Sequence, residues 1–266
     1  MASLSTVASS RYWEARAQRF AASGWGLRAV CSYGMPAFYN VHIHLLQARA
    51  LAAWLRVPRG ARVLEIGCGV GRWTRQLATG GARVTAVDLA PAMVAEAQRR
   101  AIAAGVDWRC EFLVGDAADL KLDRRFDRIV CVTTLQHILQ PDRLQRAVNA
   151  MRAHLARDGR LILLEAAPSS ARRRCDTDAF LARQESVYLQ VFARAGLRCI
   201  ATTGVDPLPL KTWFLPFYRR LPCVIAVPVL FGITAVTLPF DLMFARVLTR
   251  WSWHKVFVLE HAGRTM

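Results

Sequence analysis

The run Val63-Leu64-Glu65-Ile66-Gly67-Cys68-Gly69-Val70-Gly71 constrains the fold of this chain more than any other stretch. A short strand-like segment leads into three glycines at alternate positions, and helix-compatible sequence resumes at Arg72. A strand that ends on such a turn and passes directly into a helix opens a βαβ unit, and the glycines let the backbone approach a ligand without a Cβ collision. Taken alone, the same spacing also suits a turn that serves only strand-to-helix packing.

The pattern repeats downstream. Strands are predicted at Arg62 to Ile66, Arg83 to Val87, Arg109 to Val114, Arg128 to Thr133, Arg160 to Glu165, Arg198 to Thr203 and His254 to Leu259, with amphipathic helices between them such as Ala92 to Ala104 and Asp142 to Ala156. This alternation predicts an α/β fold with a largely parallel sheet. Upstream, residues 1–56 have helical periodicity broken at Gly24, Gly26, Gly34 and Pro36 and read as an N-terminal helical cap. The core is expected over 57–205 and 253–266, with an apolar helical insertion over 206–252.

Two carboxylates give the glycine loop chemical meaning. The second predicted strand ends at Asp88, 17 residues after Gly71, where an acidic side chain can accept hydrogen bonds from both hydroxyls of a ribose. The third ends in Gly115-Asp116-Ala117, where a carboxylate can accept from an adenine amino group. Each aspartate alone fits a helix N-cap equally well. Placed at the carboxyl ends of successive parallel strands beside a glycine loop, they point together to one nucleoside-sized crevice.

On these residues the chain resembles the class I S-adenosylmethionine-dependent methyltransferases, particularly the type 11 group that includes quinone-biosynthesis enzymes. The likeness rests on Val63 to Gly71, Val84 to Leu89, Gly115 to Ala117 and Phe126 to Ile138, with Asp158-Gly159-Arg160 as the turn into strand five. It implies a Rossmann-like seven-stranded sheet with the last strand antiparallel, and S-adenosylmethionine as cofactor. It further implies that Glu65, Gly67, Cys68 and Gly69 hold the methionine moiety, that Asp88 takes the ribose, and that Leu89 and Met93 flank the adenine. Asp116 and the Ala117 amide would read the adenine edge, and the backbone around Thr133 would face the cofactor's amino group. Tyr12 and Arg16, in a Y-W-x-x-R pattern similar to the cap helix of related enzymes, are candidates to close over the methionine carboxylate.

An NAD-linked oxidoreductase is a lesser alternative, because its G-x-G-x-x-G fingerprint needs glycine or alanine where this chain has Arg72. The favoured reading is methyl transfer to a small, apolar or lipid-like acceptor, most readily at oxygen. His137, after the fourth strand, is the candidate general base, set against a simpler role in orienting substrate or capping the next turn. Glu165, at the end of strand five, is expected to point into the same crevice. A non-catalytic scaffold of the same fold at a membrane surface is the alternative from another class.

Composition narrows the partners. The formal charge is +17, but only Lys121, Lys211 and Lys255 are lysines, and the arginines are spread along the chain. The densest run, Arg172 to Arg174, has no interleaved aromatic residues, which argues against a nucleic-acid substrate. Seven widely spaced cysteines without a C-x-x-C pair or clustered histidines argue against a disulfide framework and a metal site, and for a cytoplasmic protein.

Leu221 to Phe240 carries no charge and is long enough to cross a bilayer. If strands six and seven share a sheet, however, both lie on one side of any membrane and a single crossing between them is impossible. Pro222, Pro228, Gly232 and Pro239 are expected to break the segment into short helices over the active-site end of the sheet, where they would help wall an apolar pocket. A sharper expectation is peripheral membrane contact through 206–252, with Arg219 and Arg220 facing headgroups.

Overall fold

The computed structural model of this protein describes residues 6–32, 34–170 and 179–263; the Arg172–Arg174 run and Cys175 lie outside them. Three helices come first, α1 (Thr6–Phe20), α2 (Leu27–Val30) and α3 (Ala37–Leu51). The alternating region follows as β1 (Arg62–Ile66), α4 (Arg72–Thr79), β2 (Arg83–Asp88), α5 (Pro91–Ala103), β3 (Cys110–Val114), β4 (Phe126–Val132), α6 (Pro141–His154), β5 (Leu155–Ala166), α7 (Glu185–Arg194) and β6 (Leu197–Gly204). Helices α8 (Leu210–Tyr218) and α9 (Cys223–Phe244) precede β7 (His254–His261).

The seven strands form one sheet in the order β3-β2-β1-β4-β5-β7-β6. All pairings are parallel except those of β7, which runs antiparallel to both β5 and β6. The largely parallel α/β sheet is what the strand alternation predicts, and the antiparallel last strand of a seven-stranded Rossmann-like sheet is what the family resemblance implies.

Both faces of the sheet are covered, so its central strands are apolar at consecutive positions. Leu64, Ile66, Ile129, Leu161 and Leu163 pack with Leu144 and Val148 of α6 and with Tyr188 and Phe192 of α7. The alternate residues Val63, Val130, Ile162 and Leu164 face Leu46 and Leu51 of α3 and Trp73 and Leu77 of α4. Removing any one of these large side chains would cost about 2–5 kcal/mol.

Two local expectations are corrected. Helix α6 ends at His154 rather than Ala156, because Leu155 is fully buried and already pairs with Phe126 as the first residue of β5. Residues 223–244 form one continuous helix despite Pro228, Gly232 and Pro239. The two prolines inside α9 are exposed, so the carbonyls they leave unbonded can be solvated, and Pro222 sits at the N-cap, where no intrahelical N–H is required.

The insertion is seated by buried polar contacts as well as apolar ones. Lys211 Nζ donates to Asp241 Oδ2 at 2.7 Å and lies 3.0 Å from His42 Nε2 on α3, while the Leu208 N–H donates to Asp241 Oδ1 at 3.1 Å. His42 is held neutral, its pKa lowered to about 3 by burial and then by the Lys211 charge. Around this cluster Met35, Tyr39 and Leu230 pack with Phe38, Phe214 and Tyr218.

Candidate functional site

The strand order reverses between β1 and β4, and ligands of open α/β sheets bind at the carboxyl ends of the strands flanking such a reversal. The glycine turn occupies that point. Gly67 has φ +72°, and a Cβ there would stand 2.0 Å from Thr134 Oγ1 just beyond β4. Gly69 has φ +53°, and a Cβ there would meet Val30 Cγ1 of α2 at 2.5 Å. Both positions therefore combine a left-handed backbone with a close approach.

Hydrogen bonds fasten this turn to β2. The N–H groups of Gly67 and Cys68 both donate to the Val87 carbonyl, at 2.8 and 3.0 Å. Asp88 accepts from the Gly69 N–H at 2.8 Å through Oδ2 and from the Ala90 N–H at 3.0 Å through Oδ1. Burial raises its pKa above the usual carboxylate value, against those backbone donors. The Leu89 N–H also favours the charged form; a carboxylate offers about four lone-pair sites, so capacity is left for a further donor.

Asp116 is held in a similar way. Its Oδ1 accepts from the Ala118 N–H at 2.9 Å and its Oδ2 pairs with Arg143 at 2.5 Å. Thr133 is the only non-glycine residue with positive φ among the described residues, at +53°. For a β-branched residue this conformation is strained by about 1–3 kcal/mol; its N–H is anchored on the Leu164 carbonyl at 2.6 Å.

These groups line one cleft with about 990 Å³ of empty space, part of it open to solvent. Its floor is Gly67 to Gly69, Asp88, Leu89, Met93, Gly115 to Ala117 and Thr133. Trp13 of α1, Val30 of α2 and Trp73 of α4 form apolar walls, and His137 and Arg143 stand among the polar ones.

Residues 63–159 match a family model described as a methyltransferase domain. A ubiquinone biosynthesis O-methyltransferase of Xanthomonas axonopodis pv. citri is 38% identical over 92 residues, which are 34% of this chain and 38% of that protein. The enzyme of the same description from Xylella fastidiosa is 38% identical over 107 residues, 39% of this chain and 41% of the relative. Over residues 63–159 the chain carries a methyltransferase domain.

The chain spans only about two-fifths of the length of these curated relatives. Whole-chain likeness comes from solved structures. Magnesium protoporphyrin IX methyltransferase from Synechocystis PCC 6803, solved with bound SAH, superposes with a TM-score of 0.62 at 17% identity, covering 96% of this chain and 99% of that one. The cyclase SpnF superposes at 0.66 and 16% identity, covering 99% and 98%. At such identities the likeness is one of fold.

Within the methyltransferase domain, Gly67, Cys68, Gly69, Asp88, Leu89, Met93, Asp116, Ala117 and Thr133 all line the cleft, and so does His137. Glu65, Tyr12 and Arg16 stand outside that lining. Glu65 is 1% exposed and turned under α4, where the Thr74 hydroxyl donates to its Oε2 at 2.5 Å; burial raises its pKa to about 8. The Arg16 guanidinium donates to the carbonyls of Arg28 and Cys31, tying α1 to the segment around α2. Tyr12 packs edge-on against Trp13, and it is Trp13 that reaches the cleft.

His137 stands in the cleft as expected, whereas Glu165 does not line it. The Nδ1 of His137 lies against the Ala179 carbonyl and so carries the proton. Its Nε2 faces the Gln136 amide nitrogen at 3.4 Å, and that amide is oriented by the Ala166 N–H on its oxygen at 3.0 Å. Burial, followed by the Arg16 charge, lowers the His137 pKa to about 4 against the opposing Ala179 carbonyl. The neutral imidazole is thus a weak base near neutral pH. Glu165 is fully buried and accepts from the N–H groups of Thr134, Leu135 and Gln136 at 3.0, 2.8 and 3.0 Å. It braces the loop that carries His137 and does not face the cleft.

Trp73, Thr134 and Arg143 are cleft residues that sequence reasoning misses. Trp13 was within reach, because it belongs to the Y-W-x-x-R pattern. Arg143 carries no such signal: only the fold brings the first turn of α6 to Asp116, 27 positions away.

The site fits an adenosyl cofactor on its own geometry. Asp88 and Asp116 open on the same cleft, each with lone pairs to spare, and the floor between them is backbone whose close approach requires glycine.

Proposed function

We propose that this chain methylates a small, largely apolar acceptor at oxygen, using S-adenosylmethionine. The observation that carries the reading is the convergence of Gly67, Gly69, Asp88 and Asp116 on one cleft of nucleoside-accommodating size. S-adenosylmethionine, bound there, would supply a methyl carbon already activated by its sulfonium. Asp88 would accept from the ribose hydroxyls, Asp116 and the Ala117 N–H would hold the adenine edge, and Leu89 and Met93 would enclose its faces.

The remaining work of the protein is positioning, which can lower a bimolecular barrier by about 7–11 kcal/mol. Trp13, Val30, Trp73 and Ile138 offer apolar surface for a ring or chain, and they support an apolar acceptor. With His137 neutral and weakly basic, an acceptor oxygen that ionises readily by itself, such as a phenol or carboxylic acid, suits the site. The partial match to ubiquinone biosynthesis O-methyltransferases supports oxygen as the accepting atom.

The test is transfer of a labelled methyl group to panels of phenols, quinone precursors, carboxylic acids and lipid-linked sugars. Label in an oxygen-methylated product, lost in Asp88→Ala, is expected. Tight cofactor binding by calorimetry with label only in nitrogen or carbon products would overturn the oxygen reading. Absence of cofactor binding would overturn the reading as a whole.

A further inference from the structure

Helix α9 is turned inside out relative to a helix of a water-soluble surface. Its buried positions are Ala226, Leu230, Thr234, Thr237 and Asp241, continued by Ala245, and they recur every three or four residues as one seam. These are mostly small or polar side chains. Away from that seam stand Val224, Ile225, Val229, Phe231, Val236 and Met243, with Val224 79%, Val236 66% and Met243 68% exposed. Asp241 is the only charged residue between Leu221 and Phe244, and it is fully buried against Lys211. An amphipathic surface helix shows the reverse arrangement, and a continuous exposed apolar face of this kind marks an interaction surface.

We infer that this face docks on the surface of a lipid bilayer, with α9 lying in the plane of the interface. The helix is the one described segment long and apolar enough to cross a membrane. Crossing is ruled out by connectivity, since β6 before it and β7 after it are hydrogen-bonded neighbours in one sheet. Its 22 residues make a rod of about 33 Å, and both ends of the rod are basic: Arg219 and Arg220 precede it, Arg246 and Arg250 follow it, and all four are exposed. Basic ends and an apolar middle complement anionic headgroups and the acyl boundary beneath them.

The neighbouring side chains agree with that depth. Trp213 of α8 and Trp251 just after α9 are 53% and 72% exposed, and the amphipathic indole ring favours the headgroup level; Phe217 of α8, 54% exposed, adds apolar surface beside them. Pro228 and Pro239 lack the N–H groups that would bond the carbonyls four residues earlier. At the interface those carbonyls can still meet water or headgroups, which the hydrocarbon interior would deny them.

Flotation of the full chain with vesicles tests the inference and needs no methyl transfer, so its outcome is separable from that of the proposed activity. The protein is expected to float with vesicles of equal parts phosphatidylglycerol and phosphatidylcholine, and less with phosphatidylcholine alone. Val224→Asp combined with Val236→Asp should weaken vesicle binding at least about ten-fold while leaving the thermal melt and cofactor affinity unchanged. Arg219→Gln with Arg220→Gln should remove much of the salt dependence on anionic vesicles. Wild type that stays with the soluble fraction at every composition overturns the inference, as does undiminished flotation of the double aspartate variant. A concentration-dependent dimer that does not float, and that Val236→Asp dissociates, would overturn it in favour of a second copy on this face.

Discussion

The backbone N–H of Gly69 donates to Asp88 Oδ2 at 2.8 Å, so the glycine turn after β1 and the carboxylate at the tip of β2 form one unit. The carboxylate that would receive a ribose also fixes the loop beneath it. Asp88→Ala should therefore lose more cofactor affinity than the ribose contacts alone account for. Hydrogen bonds to a charged group contribute about 1.5–3 kcal/mol each, so a weakening of at least about ten-fold is expected by calorimetry. Asp88→Asn retains one acceptor oxygen and should fall between wild type and alanine. Equal binding by all three proteins would contradict the arrangement.

Gly67→Ala places a methyl group 2.0 Å from Thr134 Oγ1 on a backbone with φ +72°. The left-handed conformation costs an L-residue about 1–2 kcal/mol, and the overlap adds about 1–3 kcal/mol. A fall of about 2–5 kcal/mol in unfolding free energy is expected from urea titration, together with weaker cofactor binding, because relief requires the β4 loop to move.

Glu65 makes stability depend on pH in a direction unusual for a carboxylate. Its pKa is raised from 4.5 to about 8, so between these values the folded state holds a proton that the unfolded state has released. Its contribution is complete below about 4.5 and is lost as pH rises through about 8. Glu165, raised from 4.5 to about 7 by burial, acts in the same sense over the lower part of that window. Glu65→Gln should flatten the decline, narrowing or reversing its stability deficit relative to wild type between pH 5 and 8.5. Urea midpoints across that range check it, and a steeper decline in the variant would refute it.

His137 gives a kinetic prediction. A histidine acting as base with an ordinary pKa produces an acid limb near pH 6.5 in kcat/KM. With its pKa lowered to about 4, His137 should leave the profile flat through that region. His137→Gln, which keeps a donor and an acceptor, should retain more activity than His137→Ala, and its loss should fall mainly on KM for the acceptor. A limb near 6.5 that vanishes in both variants would restore the general-base role.

What was legible in the sequence divides along a physical line. The seven strands and their sheet were readable because strand and helix periods alternate, and because Gly67, Gly69, Asp88 and Asp116 sit where local sequence alone dictates strand ends. The partner of Glu65 is not legible in the sequence, because neighbouring strand residues point to opposite faces and only the packed structure shows this carboxylate meeting Thr74. Arg16 and Arg143 depend on partners 12 to 27 positions away, which no local pattern reveals. The continuity of α9 was misread for a related reason. Proline propensity is a local penalty of about 3 kcal/mol, whereas the helix is held by the long-range Lys211–Asp241 pair and by the packing of Leu230.

That pair supports the last prediction. The side chains of Lys211 and Asp241 are 7% and 0% exposed, and they join α8 to α9 at 2.7 Å. Removing one partner leaves the other buried without a counter-charge, which costs about 3–5 kcal/mol, whereas replacing both with apolar groups is often close to neutral. Lys211→Met should therefore destabilise the chain strongly and open residues 206–252 to limited proteolysis. The loss should be softened to the extent that Asp241 takes up a proton, since burial already raises its pKa. Lys211→Met with Asp241→Leu should recover most of the stability. If the two single substitutions simply add in the double variant, the pair is not coupled, and the seating of α9 must rest on its apolar contacts alone.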